Sequence, residues 1–410
     1  MKRRNGFEIA LLWVVLAACI VGAALTLLSS ADGFLGVRLV RGEDYEIIAR
    51  YARLEEIRRT LDAEYYQEVD DDVLVEGAIQ GMMASLQDPY TFYYTPDEMQ
   101  KHDETTSGNY QGIGVLVQQN DDGMIEIVRV YEGGSAQAAG LQAGDCIVSV
   151  DGEAVSGVDE QAFTQGVNRI RRQAGEAVEL GILRGDAQFE VSVVCAAVNV
   201  SNVDWTMLEG GIGYIAIYQF SGDDVSAFRA ALQALQDAGA NGLIVDLRNN
   251  PGGLLDDVVA IADELLPEGV VVYTQTRDGA RTDCYSDAQY CDLPMVVLVN
   301  DMSASASEIL AAAVQDYGRA AVVGTKTFGK GIVQTLVSFS EDGAGMQYTS
   351  ASYYTPNGRS IHGVGVTPDI VVESEDGDEI NAASPDPARD AQLRCAIREV
   401  ARRIASANTN

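Results

Sequence analysis

The sequence is short of the residues that most often carry acid–base and metal chemistry. Its 410 residues include two histidines, His102 and His362, so a histidine metal cage or a Ser-His-Asp triad has little material to draw on. Lysine is nearly as scarce, with Lys2, Lys101, Lys326 and Lys330 the whole set. Basic charge is short in general: 28 Lys and Arg stand against 61 Asp and Glu, a net charge of −33. A surface of that sign repels polyanions, which excludes nucleic acid as a partner. The six cysteines contain no C-x-x-C pair, which removes zinc and thioredoxin-like readings. Cys284 and Cys291 are spaced to close a small disulfide loop outside the cytosol, or to stand as two loop thiols. No metal or organic cofactor is expected, and no fixed-period repeat is present.

What remains is an ordinary globular composition, 47% hydrophobic and 22% charged, with length for two or three domains at roughly 150 residues each. Lys2, Arg3 and Arg4 precede an apolar run from Ile9 to Leu28, which as a helix spans about 30 Å, the hydrocarbon thickness of a bilayer. The run predicts an N-terminal transmembrane anchor over residues 1–30, basic flank in the cytoplasm and the rest of the chain extracytoplasmic. Two alternatives rank below it. Ser29-Ser30-Ala31 is a candidate cleavage site for a signal peptide, although the run is long for one, and Leu16-Ala17-Ala18-Cys19 resembles a lipobox, although the stretch stays apolar beyond it.

Residues 43–107 read as a helical region, with Ile47, Ile48, Tyr51, Leu54, Ile57 and Leu61 at three- and four-residue spacing and Val73 to Leu86 repeating the pattern until Asp88-Pro89 breaks it. Residues 108–198 change to short alternating runs between glycine turns, a β-rich module with one helix from Gln161 to Arg172. Residues 199–373 form an α/β domain. Its runs Ile212–Phe220, Leu243–Leu247, Val270–Tyr273, Met295–Val299 and Ala320–Val323 are apolar on both faces, as in a covered parallel sheet, and amphipathic helices Val225–Gln236 and Leu254–Leu266 lie between them. Ile332–Phe339 and Met346–Tyr353 read as a hairpin. Residues 374–410 hold an acidic linker and a last helix from Asp390 to Ile404.

Two segments carry candidate chemistry. Gly324 to Gly331 nearly satisfies the P-loop pattern, but Gly331 stands where the magnesium hydroxyl belongs, and an apolar β-like run follows where a phosphate-capping helix is required. Nucleotide binding is therefore rejected. Ser303-Ala304-Ser305-Ala306-Ser307-Glu308 lies between a strand and a helix. Its plain reading is a capping box, Ser305-x-x-Glu308. A serine there also has helix N-terminal amides beside it that can stabilise an oxyanion. With histidine nearly absent, its base can be a lysine, but a lysine of ordinary pKa is neutral in only about one molecule in 2,500 at pH 7. Lowering that pKa by roughly three units takes about 4 kcal/mol of desolvation, at about 1.36 kcal/mol per unit. Lys330 has Phe328, Ile332 and Val333 beside it to supply that burial. The turn Arg248-Asn249-Asn250-Pro251-Gly252-Gly253 offers glycine amides for a second oxyanion donor, or is an ordinary strand-to-helix turn.

These segments resemble the C-terminal processing peptidases, or tail-specific proteases. Ser303–Glu308, Thr327–Gln334, the Asn-Pro-Gly-Gly turn and Gly363–Asp369 occur in the family's order, as do Asp88-Pro89-Tyr90 and Tyr110–Gly114 upstream. The resemblance runs from about 43 to 400. It implies a ClpP/crotonase-like α/β core with an inserted PDZ domain at 108–198. It assigns Ser305 as nucleophile, Lys330 as base and Gln334 as the residue that orients the base, a choice among three serines that local chemistry leaves open. It also implies an oxyanion hole of Ala306 N–H with Gly252 or Gly253, Gly252 favoured. A loop Gln111-Gly112-Ile113-Gly114 would take the carboxylate of a protein C-terminus, and Arg171 in the Arg169–Arg172 cluster would couple tail binding to activity. On a straight strand Lys330 and Gln334 sit about 13 Å apart, so their joint role requires a bend. The helices at 43–101 and 390–404 are candidates for a homodimer contact or for packing on their own domain. The rival from another class is a catalytically silent PDZ adaptor that binds protein C-termini.

Overall fold

The computed structural model describes residues 4–28, 42–107, 109–120, 122–131, 133–155, 160–199, 201–374 and 380–407. The chain divides into two compact units, Met1–Ser85 and Leu86–Asn410.

In the first unit a helix, Arg4–Leu28, forms over the basic-then-apolar run, and its described side chains, residues 10–23, are exposed. Among the described residues no helix is long and apolar enough to cross a membrane. The helices Gly42–Glu64 and Asp71–Ala84 follow. Asp70 caps the latter by accepting the Asp72 N–H at 2.9 Å, the role expected of a residue that satisfies an orphan amide. Tyr45, Ile47, Ile48, Tyr51, Leu54 and Ile57 are exposed.

The second unit holds the core. Strands Ile212–Ile217, Gly242–Asp246, Met295–Val299, Ala320–Gly324 and Ile370–Val371 run parallel in that order, and Val203–Leu208 closes one edge antiparallel. Alternation along the strands sends Ile215, Val245 and Val297 to one face, where Phe228, Ile261 and Leu310 of three helices cover them. Tyr214, Ile244, Val296 and Leu298 go to the other face, covered by Leu393, Ala396 and Val400 of the last helix, Ala391–Ala407. That helix packs its apolar stripe on its own domain, the second of the two readings of it. The helix-on-both-faces layering is why these strands are apolar throughout.

A second sheet is antiparallel. It joins Phe92–Tyr94, Gly345–Tyr354, Gly269–Thr276 and Arg281–Ser286, with Ile332–Ser338 hairpin-paired to Gly345–Tyr354. The run Val270–Tyr273, expected in the parallel sheet, lies here. Val271 and Val272 are buried while the strand ends are not, and an apolar run specifies burial without specifying which sheet receives it. Cys284 and Cys291 are free thiols packed against the same core cluster, so the disulfide alternative does not form.

The β-rich module has the strand order Val115–Gln119, Ile125–Val130, Cys146–Val150, Ala177–Arg184 and Ala187–Val194 around its own apolar core. The helix Glu160–Ile170 packs on it through Phe163, Val167 and Ile170. Strands Asn109–Gly112 and Ala196–Asn199 pair with each other where the chain enters and leaves the module. Arg129 of the module makes a bidentate pair to Asp204 of the core, 2.8 Å for each bond, and the Tyr218 hydroxyl donates to the same carboxylate at 2.7 Å.

Candidate active site

The strand Met295–Val299 runs into the loop that carries the three serines. Two of them are structural. Ser303, fully buried, donates its hydroxyl to the Leu247 carbonyl at 2.8 Å and accepts the Asn300 N–H at 2.9 Å. Ser307, also buried, donates to the Asn250 carbonyl at 3.0 Å. Ser305 alone is partly exposed, at the head of the helix Ala306–Asp316, with φ 54° and ψ −113°. A non-glycine residue in that region is strained, and such strain persists where the surroundings hold it in place.

Glu308 does much of the holding. Fully buried, its carboxylate accepts four hydrogen bonds: from Ser305 N–H at 3.0 Å and Lys330 N–H at 2.8 Å on Oε2, and from Gly329 N–H at 2.7 Å and the Thr327 hydroxyl at 2.6 Å on Oε1. One carboxylate oxygen thus binds the backbones of the serine and lysine segments together. The Tyr353 hydroxyl repeats this from the far side, donating to the Ser305 carbonyl at 3.0 Å and lying against the Lys330 carbonyl. The expected capping box of Ser305 and Glu308 is present; the reach of Glu308 to the lysine segment is not visible from the box itself.

Lys330 sits in the stretch between the strands Ala320–Gly324 and Ile332–Ser338, with no helix after Gly331, in keeping with the rejection of a P-loop. Its ammonium lies 4.7 Å from the centre of the Tyr90 ring and makes no hydrogen bond among the described residues. Burial pushes its pKa below the ordinary lysine value, while the nearby charges of Asp88 and Glu308 push back. The Tyr90 ring supplies apolar surroundings, whereas Phe328, expected to help, is 59% exposed. Asp88 is itself fixed by the Tyr90 N–H at 3.0 Å and the hydroxyls of Thr91 at 2.7 Å and Thr349 at 2.6 Å. Although burial opposes it, these bonds hold the Asp88 carboxyl below its usual range. In the sequence Asp88 stands out as a helix breaker with Pro89 and, with Tyr90, as part of a family motif, neither of which shows its place beside Lys330.

Gln334 lies on the strand Ile332–Ser338, opposite Thr349, directly after a β-bulge between Val333 and Gln334. The unpaired extra residue is Ser350 of the partner strand Gly345–Tyr354, so the strand that carries Gln334 does not itself supply the bend that the spacing required. In this arrangement the Gln334 amide donates to the Ile332 carbonyl at 3.4 Å and makes no hydrogen bond to Lys330.

The Arg248–Gly253 turn faces the serine. Arg248 is buried and held by Asp246 at 2.6 Å and Asp390 at 2.8 Å, and the Tyr214 hydroxyl donates to Asp246 at 2.7 Å. Asn250 donates to the Ile217 carbonyl at 2.8 Å and accepts the Gly252 N–H at 2.8 Å. A Cβ on Gly252 would stand 2.7 Å from Ser305 Cβ and 2.9 Å from Ala306 N, so only glycine lets the turn approach the serine this closely. The Gly252 amide is occupied, whereas the amides of Gly253 and Ala306 have no hydrogen-bond partner among the described residues. The free donors beside Ser305 are thus Ala306 and Gly253, and Gly252 contributes closeness.

The loop Gln111–Gly114 and Arg171 line a separate cavity of about 1070 Å³. The amides of Ile113 and Gly114 lack partners among the described residues, and Gly114 has φ 83°. Gln111 is turned to the module itself, accepting the Ala174 N–H at 2.7 Å. Among the described residues no group of three or more His, Cys, Asp or Glu side chains is arranged to hold a metal.

Against known proteins, residues 211–372 match the model of peptidase family S41, residues 126–184 match a PDZ domain, and residues 40–98 match the activating protease CtpB N-terminal domain. A carboxy-terminal-processing protease of Bartonella bacilliformis is 38% identical over 338 residues, covering 80% of this chain and 76% of its own. The carboxy-terminal processing protease CtpA of Bacillus subtilis is 33% identical over 380 residues, covering 92% and 79%. Among solved structures, a putative S41 protease from Bacteroides fragilis superposes with a TM-score of 0.55 at 17% identity, covering 82% of this chain and 90% of its own, a likeness of fold.

Proposed function

Because the chain belongs to peptidase family S41 and is a serine peptidase of the carboxy-terminal-processing kind, we propose that Ser305 and Lys330 perform its chemistry and that its PDZ domain reads the C-termini of substrates. The observation that carries the first part is the Glu308 carboxylate, which gathers the Ser305 and Lys330 amides on one oxygen.

In the proposed cycle neutral Lys330 takes the Ser305 hydroxyl proton as Oγ adds to the peptide carbonyl carbon. The Nζ leaves the face of Tyr90 to do so. The oxyanion is held by the unoccupied amides of Ala306 and Gly253. Lys330 then returns the proton to the departing amine, leaving an acyl-enzyme. Water adds to that ester, giving its proton to Lys330, and the carboxyl product leaves as Ser305 recovers its proton. Gln334 orients Lys330 once the lysine has swung over. Burial of Lys330 favours the neutral form that the first step needs.

Cleavage of an unfolded protein such as casein by the full chain, compared with Ser305→Ala and Lys330→Ala and followed by mass spectrometry, tests this. Loss of cutting in both variants with intact circular dichroism is expected. An active Lys330→Ala variant would remove the lysine from the mechanism. Binding of peptides with retained folding but no turnover in wild type would favour the silent adaptor.

For tail recognition, the unpartnered amides of Ile113 and Gly114 and the Arg171 guanidinium suit an α-carboxylate, and Phe163, Val167 and Ile170 suit an apolar last side chain. We place the protease outside the cytoplasm, anchored by the segment at 1–30, as the basic flank and apolar run suggest, and as a homodimer through its N-terminal helices, whose apolar side chains are exposed. Alkaline extraction of membranes and sedimentation of the detergent-solubilised chain are the tests, with membrane retention and a mass of two chains expected.

A further inference from the structure

The cavity at the PDZ domain is not formed by that domain alone. One side is the expected groove between the strand Val115–Gln119 and the helix Glu160–Ile170. Residues 380–384 also line it; they follow the last core strand and precede the helix Ala391–Ala407. These residues belong to the protease core: Ala382 packs against its apolar cluster, and Asn381 closes a turn by accepting the Ser384 N–H at 3.1 Å on its side chain. Arg129 and Tyr218 line the cavity too, and both bond to Asp204, which ties the module to the core. At about 1070 Å³ the space lies just above the roughly 300–1,000 Å³ typical of ligand sites, room for several residues of an extended chain.

We propose that the turn 380–384 is a second reading surface for the substrate tail, so that a C-terminus is selected jointly by the PDZ groove and by the protease core. This rests on the groove being a tail-binding site. A chain laid along Val115–Gln119 projects alternate side chains into the helix-side pocket and away from it. The side chains that point away meet the turn, where Asn381, Ala383 and Ser384 present small, uncharged, exposed surfaces beside Ala382, which packs on the core. Overpacking against such a wall is costly because its anchored residues have little room to yield. The ligand class is a polypeptide with a free α-carboxylate, an apolar last residue, and small uncharged residues at the upstream positions facing the turn. Binding such a tail also joins the two domains, since its two sides touch one each.

The test is equilibrium binding of fluorescein-labelled peptides to the full chain. One peptide series carries alanine and serine upstream of a C-terminal valine, and the other carries tryptophan at those positions. Wild type is expected to bind the small series at least tenfold more tightly. Ala383→Trp, an exposed change that leaves the core untouched, is expected to weaken the small series about tenfold, and Asn381→Gly to narrow the difference between the series. Val167→Asp, on the PDZ side of the groove, separates the two levels of the argument. If Val167→Asp abolishes binding while wild type does not distinguish the series and Ala383→Trp changes nothing, the second reading surface is overturned and the groove stands. If neither variant alters binding, the groove reading falls with it.

Discussion

Two buried acidic sites in the protease core have opposite characters. Around Arg248 and Glu308 every carboxylate is paired or saturated. Asp246 and Asp390 clasp a guanidinium, and Glu308 receives four donors. At the start of the helix Asp224–Asp237 the situation is reversed. Asp224 is fully buried, accepts the neighbouring Val225 N–H at 2.7 Å, and leaves Oδ2 without a partner. Asp257, on the helix Leu255–Asp263, likewise has an unpartnered buried oxygen. Burial, then the charge of Asp257, raises the Asp224 pKa to about 7, and burial raises that of Asp257. The difference teaches that burial alone does not define a carboxylate's role. A saturated one fixes geometry, whereas burial raises the pKa of an unsatisfied one.

The largest effect comes from breaking the saturated side. Arg248→Met removes the cation between Asp246 and Asp390 and leaves two buried charges uncompensated, a loss of roughly 3–5 kcal/mol by analogy with other broken buried pairs. Because Asp390 introduces the last helix, whose Leu393 and Val400 cover one sheet face, unfolding should remain cooperative while its urea midpoint falls. A shift within about 0.5 kcal/mol of wild type would mean that the network adds little to stability.

Next in size is Glu308→Gln, which tests positioning in place of stability. An amide offers one acceptor oxygen where the carboxylate offered two, so one pair of donors, either Ser305 and Lys330 or Gly329 and Thr327, meets an NH₂ group. A displacement of about 1 Å between nucleophile and base can cost about 100-fold in rate, so kcat is expected to fall by about that factor with KM little changed. The second readout is electrostatic. Glu308 is among the charges that raise the Lys330 pKa, so its removal should move the rise of kcat/KM with pH to lower pH. A rate loss without any move in the pH profile would make Glu308 structural only.

Much of this contrast was legible in the sequence, but unevenly. The strands Gly242–Asp246 and Met295–Val299 were readable because helices on both faces leave few polar positions along them. Phe92–Tyr94 was not, since it is three residues long and pairs with Gln347, Met346 and Gly345 far along the chain. Ser305, Lys330 and Gln334 came from the resemblance to the C-terminal processing peptidases, since local chemistry leaves the three serines open. Glu308 read as half of a capping box because local pattern shows the i, i+3 partner and conceals Thr327, Gly329 and Lys330. The domain junction was equally closed to sequence: the Arg129–Asp204 contact joins two residues that each read as ordinary surface charge. Asp224 and Asp257 look like favourable acids in the first turns of helices, and only the packed structure withdraws water from them.

The smallest effect lies on the unsatisfied side and has the opposite sign. With its folded pKa raised from 3.8 to about 7, Asp224 binds more protons in the folded chain than in the unfolded one across that window. Stability from this group is therefore complete below about pH 3.8 and declines as pH rises toward 7, beyond which the charged carboxylate is carried at a constant penalty. Asp224→Asn keeps the shape and removes the charge. It should stabilise the protein at pH 8 by about 1–3 kcal/mol, the usual cost of an unsatisfied buried polar group, and have little effect at pH 4. Thermal melts at the two pH values read the difference directly. Equal shifts at both would show that the proton on Asp224 does not set this region apart from the saturated carboxylates, while stabilisation confined to high pH would place the two acidic sites at opposite ends of one physical scale.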